Sequence, residues 1–431
     1  MIIQMPTTDN TPLPWKRNLR AIWFAELVAI VGFTVVIPIL PLYVRELGVT
    51  GESETRLWSG VIFSAQAVTM AIFGPIWGVL SDRYGRKVMV ERAMLAGALI
   101  IALMGLVHTP EQLTLLRALQ GALTGTVTAA TALVATSAPD DKAGYALGTL
   151  QMAIYVGASA GPLLGGVVAD TLGHRSAFFV TGALLLIAAI VVLAFVEEPE
   201  RTDSQMEKGD LDLTGIGLRQ RAANHLAPFL ASTPLLAVLA LHLILRLAAR
   251  VPQPILPLFV ESLAPPGARI ATITGLISGA NALGGALGGR TLGVLGDRLG
   301  YRVILVGCAL GSVLCYVPQS LVARSWWLIP LQAVAGLAMG GILASISASL
   351  AALAPRGREG IVYGVDASVV SVANVIGPMT GSSLAAWLDL RAPFLAAAAV
   401  FGIGAAVAVR LLPKSAHHTL DQAKTEGIIS R

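Results

Sequence analysis

Uncharged apolar stretches of about 20 residues, separated by short charged segments, follow one another along the chain. A helix rises about 1.5 Å per residue, so each stretch is long enough to cross the roughly 30 Å hydrocarbon core of a bilayer. The pattern predicts twelve spans, near 19–44, 57–79, 88–107, 112–137, 143–169, 176–196, 234–260, 270–292, 302–322, 326–353, 360–387 and 392–411. Alternating strands of about ten residues, the signature of a membrane barrel, are absent, which leaves helices as the spanning element. The expected fold class is therefore an all-α polytopic membrane protein. The first 18 residues are polar and the first apolar run lacks a small-residue cleavage site, so that run is expected to stay as a helix.

Composition agrees. The chain is 55% hydrophobic and 13% charged, against roughly 25% charged in soluble domains, and its mean hydropathy is +0.74. The net charge of +5 hints at nucleic acid until the charges are placed. With twelve spans, 21 Lys and Arg fall on the side of the termini, 6 on the other side and 3 within spans. Positive residues mark the cytoplasmic face, so both termini are expected in the cytoplasm and the partner is a lipid bilayer rather than nucleic acid. Cys308 and Cys315 lie seven apart in an apolar span and read as buried thiols, since no metal-ligand spacing accompanies them. No nucleophile constellation, metal cluster or phosphate loop supports an enzyme, and no bound cofactor or metal is expected. A receptor, from another class, would be expected to carry a soluble signalling domain, which the pattern lacks.

The chain is written twice. "GVLSDRYGRK" at Gly78 returns as "GVLGDRLGYR" at Gly293, and "PILPLYV" at Pro38 as "PILPLFV" at Pro254. "RALQGALTG" at Arg117, "APDDKAGYALG" at Ala138 and "GPLLGG" at Gly161 have counterparts in the same order, at an offset of 215 or 216 residues. Two six-helix bundles, 1–196 and 234–412, are thus expected, joined by a cytoplasmic linker at 197–233 and followed by a tail at 413–431. Six spans is an even number, so the second bundle enters in the same orientation as the first, and a polar path between the bundles follows. No chemistry is read into the linker. One chain holds both halves of such a path, so a monomer suffices.

These motifs resemble those of the major facilitator superfamily, in the twelve-helix drug/proton antiporter branch. "GVLSDRYGRK" resembles the family's loop motif, "RALQG" its fourth-helix motif and "GASAGPLLGG" from Gly157 the fifth-helix motif associated with antiporters. The resemblance implies a proton-driven exporter of amphipathic, drug-like molecules working by alternating access, with the proton gradient as its energy source. It implies that Gly78, Asp82, Arg83, Gly85, Arg86 and Lys87, with Asp297 and Arg298 in the second copy, form a cytoplasmic latch. A positive anchor plus a turn would use many of the same residues. Physically, Gly78 is expected to admit a neighbouring helix closely and Gly85 to permit the turn. Gly157, Gly161 and Gly165 form a smooth stripe; with Pro162 and Gly166 the resemblance makes them a hinge and seal.

Ionisable groups within spans are the sharpest clue, because each costs at least about 2.5–3.5 kcal/mol at mid-bilayer. Glu26, Arg117, Arg246, Arg250 and Asp366 are the ones retained, and His242, Arg246, Arg250 and Pro254 recur every four residues on one helical face. Glu26 and His242 are 216 apart, hence at equivalent depths. Glu26 is the first choice for the proton carrier and Asp366 the second, with Arg117 coupled to them; static pairing of these acids with Arg246 or Arg250 is the competing reading. Gln66, Gln151, Tyr155, Asn281 and Tyr363 are expected to supply hydrogen bonds to a cavity. If the two arginines are neutralised by Glu26 and Asp366 the cavity suits neutral or cationic drugs; if not, it suits anions such as a carboxylate- or phosphate-bearing metabolite.

Overall fold

The computed structural model describes residues 15–139, 142–198, 232–354 and 359–411, with the side chains of Val79, Asp82 and residues 359–361 outside that description. Among the described residues every regular element is helical. The first half comprises α1 (Trp15–Val35), α2 (Leu40–Glu46), α3 (Glu52–Tyr84), α4 (Arg86–Met104), α5 (Pro110–Leu123), α6 (Thr126–Ser137), α7 (Ala143–Leu172) and α8 (His174–Phe195). The second comprises α9 (Thr233–Arg250), α10 (Leu256–Leu263), α11 (Ile270–Leu299), α12 (Tyr301–Leu321), α13 (Leu328–Leu353), α14 (Glu359–Trp387) and α15 (Ala392–Leu411).

Among the described residues eleven helical segments, α5 and α6 counting together as one, are long and apolar enough to cross a membrane. α4 stands where the third span is expected and falls outside that set, because Lys87, Glu91 and Arg92 crowd its opening turns. Three expected spans are each divided. The run 19–44 breaks after Val35 and 234–260 after Arg250, where pairs of prolines remove backbone donors at corresponding places in the repeat. Pro254 accordingly lies beyond the helix that carries His242, Arg246 and Arg250, so the expected four-residue face ends at Arg250. The run 112–137 breaks at extended Thr124 and at Gly125, whose φ of 144° suits glycine alone. Its counterpart α13 runs unbroken.

Turns between antiparallel neighbours are as tight as the sequence suggests. Gly85 (φ 107°) and Gly300 (φ 91°) close the two loop motifs at matching positions. The linker does have structural work at its start. The Glu198 carboxylate accepts from the backbone N–H of Arg86 and Lys87, both at 2.7 Å, capping α4, and Glu197 pairs with Arg17 of α1. The rest of the linker and the tail lie outside the described residues.

Two apolar cores form, one built mainly from α1–α8 and the other from α9–α15. Within them α1 packs on α7 and α8, α4 on α8, α11 on α13, and α9 on α14 and α15. The halves meet along two seams, α7 against α11 and α3 against α14.

Candidate functional site

Among the described residues the close contacts along the two seams lie on the side away from the termini. A Cβ on Gly166 would overlap the Ala271 carbonyl, one on Gly275 the Pro162 carbonyl, and one on Gly60 the Ser382 side chain at 2.6 Å. Ser159 donates to the Gly279 carbonyl at 3.0 Å, Ser64 to that of Val375 at 2.7 Å and Arg56 to that of Ala385 at 2.9 Å. Asp170 of α7 accepts from the backbone N–H and hydroxyl of Thr272 at the start of α11, both at 2.7 Å. Arg45 of α2 bridges to Glu261 of α10 at 2.6 Å.

Toward the termini the seams part. Around Gly74, Gly78, Gly144, Gly148 and Gly364 an added Cβ would find nothing within 4 Å. The face of α7 that meets α11 through Gly166, Pro162 and Ser159 continues through Tyr155 and Met152, which are exposed. Among the described residues the halves are therefore joined at the far end and part toward the termini, which outlines a cleft between them. Gly78 meets no close helix in this conformation among the described residues, contrary to the packing expected of it; Gly157, Gly161 and Gly165 do, against Ile30, Thr34 and Val35 of α1.

Glu26 of α1 is fully buried. Its Oε1 accepts from the hydroxyl of Thr126 at 3.1 Å, while Oε2 has no hydrogen-bond partner among the described residues. Thr126 is the first residue of α6, so the break at Thr124–Gly125 brings the free N-terminal end of a helix to the buried carboxyl. Two turns upstream Arg117 is also buried, donating to Gln120 Oε1 at 2.8 Å, with the Phe63 ring 5.7 Å away. Thr126 and Gln120 were not singled out from the sequence; a glycine flanked by threonines was the available signal for the first.

The second half keeps a different constellation. His242 Nδ1 lies 2.5 Å from Asp366 Oδ1. Arg250 donates from Nε to Asn374 Oδ1 at 2.7 Å and from Nη1 to Gln253 Oε1 at 2.8 Å. Arg246, between them on α9, makes no hydrogen bond from its buried Nε and forms no ion pair within 4 Å among the described residues. It lies within electrostatic reach of Asp366 and of Tyr155 from the other half. The static pairing of Glu26 or Asp366 with Arg246 or Arg250 therefore does not form: Glu26 is held by Thr126 in the first bundle and Asp366 by His242.

Of the cavity candidates, Gln151, Tyr155 and Tyr363 are exposed and Gln66 is half-buried. Asn281 departs from expectation, since its amide donates to the carbonyl and side chain of Gln332 at 3.1 and 2.8 Å and ties α11 to α13. At the loop motifs, the Asp82 side chain lies outside the described residues, Arg86 donates to the Ala132 carbonyl at 3.0 Å, Arg83 lies over the Tyr84 ring and Arg298 is exposed. Lys87 reaches Glu91 at 3.5 Å. Asp297 accepts a hydrogen bond from Tyr301 within its own half. Cys308 and Cys315 are free and buried, and no cluster with metal-holding geometry exists among the described residues.

The family model described as Major Facilitator Superfamily matches residues 22–273 and 238–430. "Multidrug resistance protein MdtG" of Enterobacter lignolyticus is 37% identical over 393 residues, covering 91% of each chain. The protein of the same name from Dickeya zeae is 38% identical over 397 residues, or 92% of this chain and 95% of that one. Among solved structures, a bacterial homologue of the human lysosomal transporter Spinster, inward-facing and unoccupied, aligns with a TM-score of 0.72 at 14% identity over 92% of this chain and 96% of that one. The nucleoside transporter NupG aligns with a TM-score of 0.75 at 12% identity over 92% of this chain and all of its own.

Proposed function

Since the chain belongs to the Major Facilitator Superfamily, and is thus a membrane transporter rather than an enzyme, we propose that it exports amphipathic, drug-like small molecules in exchange for protons by alternating access. The observation that carries proton coupling is Glu26, a fully buried carboxyl with one oxygen unpartnered beside the start of α6. The excess of Lys and Arg on the side of the termini supports placing that side in the cytoplasm of a bacterial inner membrane, with a monomer as the working unit.

In this reading the cleft takes up its cargo from the cytoplasm or inner leaflet. The halves then rock about the α7–α11 and α3–α14 seams, closing beside the loop motifs and parting at Arg45–Glu261 and Asp170–Thr272. Glu26 takes a proton while accessible from outside and surrenders it inside. The neutral acid can donate to a partner that the carboxylate cannot. The names of the relatives support drug export as the direction of work.

The test is export of a xanthene dye ester from loaded proteoliposomes with and without a proton gradient. Export that follows the gradient supports antiport; export at full rate after the gradient is collapsed overturns it.

A further inference from the structure

We infer that Asp170 and Arg56 are the residues that hold the far side shut: each sets a first-half charge on the end of a second-half helix, and the two contacts act together on a single parting of the halves. The inference goes beyond the proposed cargo and proton coupling, and rests on that reading only for alternating access.

The first N–H groups of a helix and its last C=O groups lack partners within the helix and carry partial positive and negative charge. α11 begins after Arg269, whose side chain makes no capping bond among the described residues, and has no acidic residue in its first turn. Its cap comes from the other half. Asp170 Oδ2 accepts from the N–H and the hydroxyl of Thr272, both at 2.7 Å, and Oδ1 from the Ala271 N–H at 3.3 Å. α14 has no basic residue in its last turn. There Arg56 of α3 donates to the Ala385 carbonyl at 2.9 Å, and Ser53 to that of Ala386 at 3.2 Å. An anion thus meets a positive helix end at one seam, and a cation meets a negative helix end at the other.

These two contacts occupy equivalent places in the internal repeat. Arg56 and Ala271 are 215 apart, and Asp170 and Ala386 are 216 apart. The charged partner stands at the end of α7 in one contact and at the start of α3 in the other, yet both times it belongs to the first half. The second half supplies helix ends without charges of their own, and these lose their caps when the far side parts. Glu52 stays with Arg56 on α3 at 2.6 Å, so parting leaves Arg56 paired but strips the end of α14. The Arg56 side chain is 15% exposed against 40% for Arg45, so water weakens its contact less than it weakens Arg45–Glu261. Closure beside the loop motifs must therefore outweigh both caps.

Ser382 provides a reporter. It is fully buried at the α3–α14 seam against Gly60, and its hydroxyl has no hydrogen-bond partner among the described residues, so Ser382→Cys adds a buried thiol with no bond lost. In the purified full-length protein, alkylation of that thiol by a water-soluble maleimide follows the fraction of molecules in which the seam has parted. Cys308 and Cys315, buried in α12, give the background. Asp170→Asn, on the other seam, is expected to speed alkylation about fivefold, and Arg56→Gln by a similar factor. Combined, the two are expected to multiply to about twentyfold or more, because separate contacts act on one motion. An unchanged rate with a lowered unfolding temperature would make both residues merely structural and overturns the inference. A rise confined to Arg56→Gln, on the reporter's own seam, is local loosening and overturns it as well. Should Asp170→Asn fail to fold, Ala271→Cys, buried on the α7–α11 seam, becomes the reporter for Arg56→Gln; faster alkylation there supports the inference and an unchanged rate overturns it. Alternating access is tested separately by bridging Arg45→Cys and Glu261→Cys with a short bis-maleimide, which is expected to stop dye export. Undiminished export across that bridge defeats alternating access, whereas stopped export with alkylation unchanged by Asp170→Asn defeats the role of the two caps alone.

Discussion

The imidazole of His242 and the carboxylate of Asp366 lie 2.5 Å apart, joining α9 to α14 near the middle of the second half. Both side chains are largely withdrawn from solvent, at 5% and 18% exposure. Removing one leaves the other desolvated and unpaired. His242→Ala is therefore expected to destabilise the purified protein by about 1–3 kcal/mol, read as a lowered unfolding temperature in detergent. His242→Ala combined with Asp366→Leu is expected to recover part of that loss.

Glu26→Gln keeps the size and the hydrogen bond to Thr126 but cannot exchange a proton. Gradient-driven dye export should fall at least tenfold while dye binding stays measurable. Unchanged active export in this variant would transfer the coupling role to Asp366, with Asp366→Asn as the next measurement.

Gly165 and Gly78 separate packing from movement. A Cβ on Gly165 overlaps the Val35 backbone, so Gly165→Ala is expected to cost about 1–3 kcal/mol and to reduce the folded yield. Around Gly78 there is open space in this conformation, so Gly78→Val should fold normally. If closure on the side of the termini brings another helix to Gly78, that variant will transport slowly at normal membrane abundance; a normal rate would show that closure leaves this glycine free.

The two loop motifs are not equivalent. Asp297 is engaged by Tyr301 within its own half, and the first loop has no tyrosine at that place. Asp82→Asn is expected to slow transport several-fold per molecule at the surface and Asp297→Asn to leave it nearly unchanged. Equal effects would favour an anchoring role for both loops.

Arg45 and Glu261 are both about two-fifths exposed, so their attraction is worth at most about 1 kcal/mol. Arg45→Glu should shift the balance between the closed and parted far side by about fivefold or less, measurable as distance distributions between spin labels on α2 and α10. Adding Glu261→Arg should restore the original distribution; failure to do so would remove the pair from the seal.

How much of this was legible in the sequence follows from which forces are local. Apolar run length and turn glycines such as Gly85 and Gly300 act within a few residues, so the run of helices and their tight turns could be read directly. The break at Gly125 could not, because Gly340 and Gly341 at the corresponding place in α13 leave that helix intact. Partner choice was the least visible. The repeat relates Glu26 to His242, yet Glu26 finds Thr126 and His242 finds Asp366, contacts fixed by which helices become neighbours. Asn374, which satisfies Arg250, carries no signal of its own in a helix of small residues.

Arg45 and Glu261 stand 216 positions apart, the interval of the internal repeat, so each touches its own counterpart. Such contacts arise only where the axis relating the halves passes between them. Two copies of the first half assembled by the same rotation would set Arg45 against Arg45, and two copies of the second would set Glu261 against Glu261. The opposite charges at this one site thus favour the pairing of unlike halves over like ones, modestly for so exposed a pair, and encoding both in one chain supplies them in equal number.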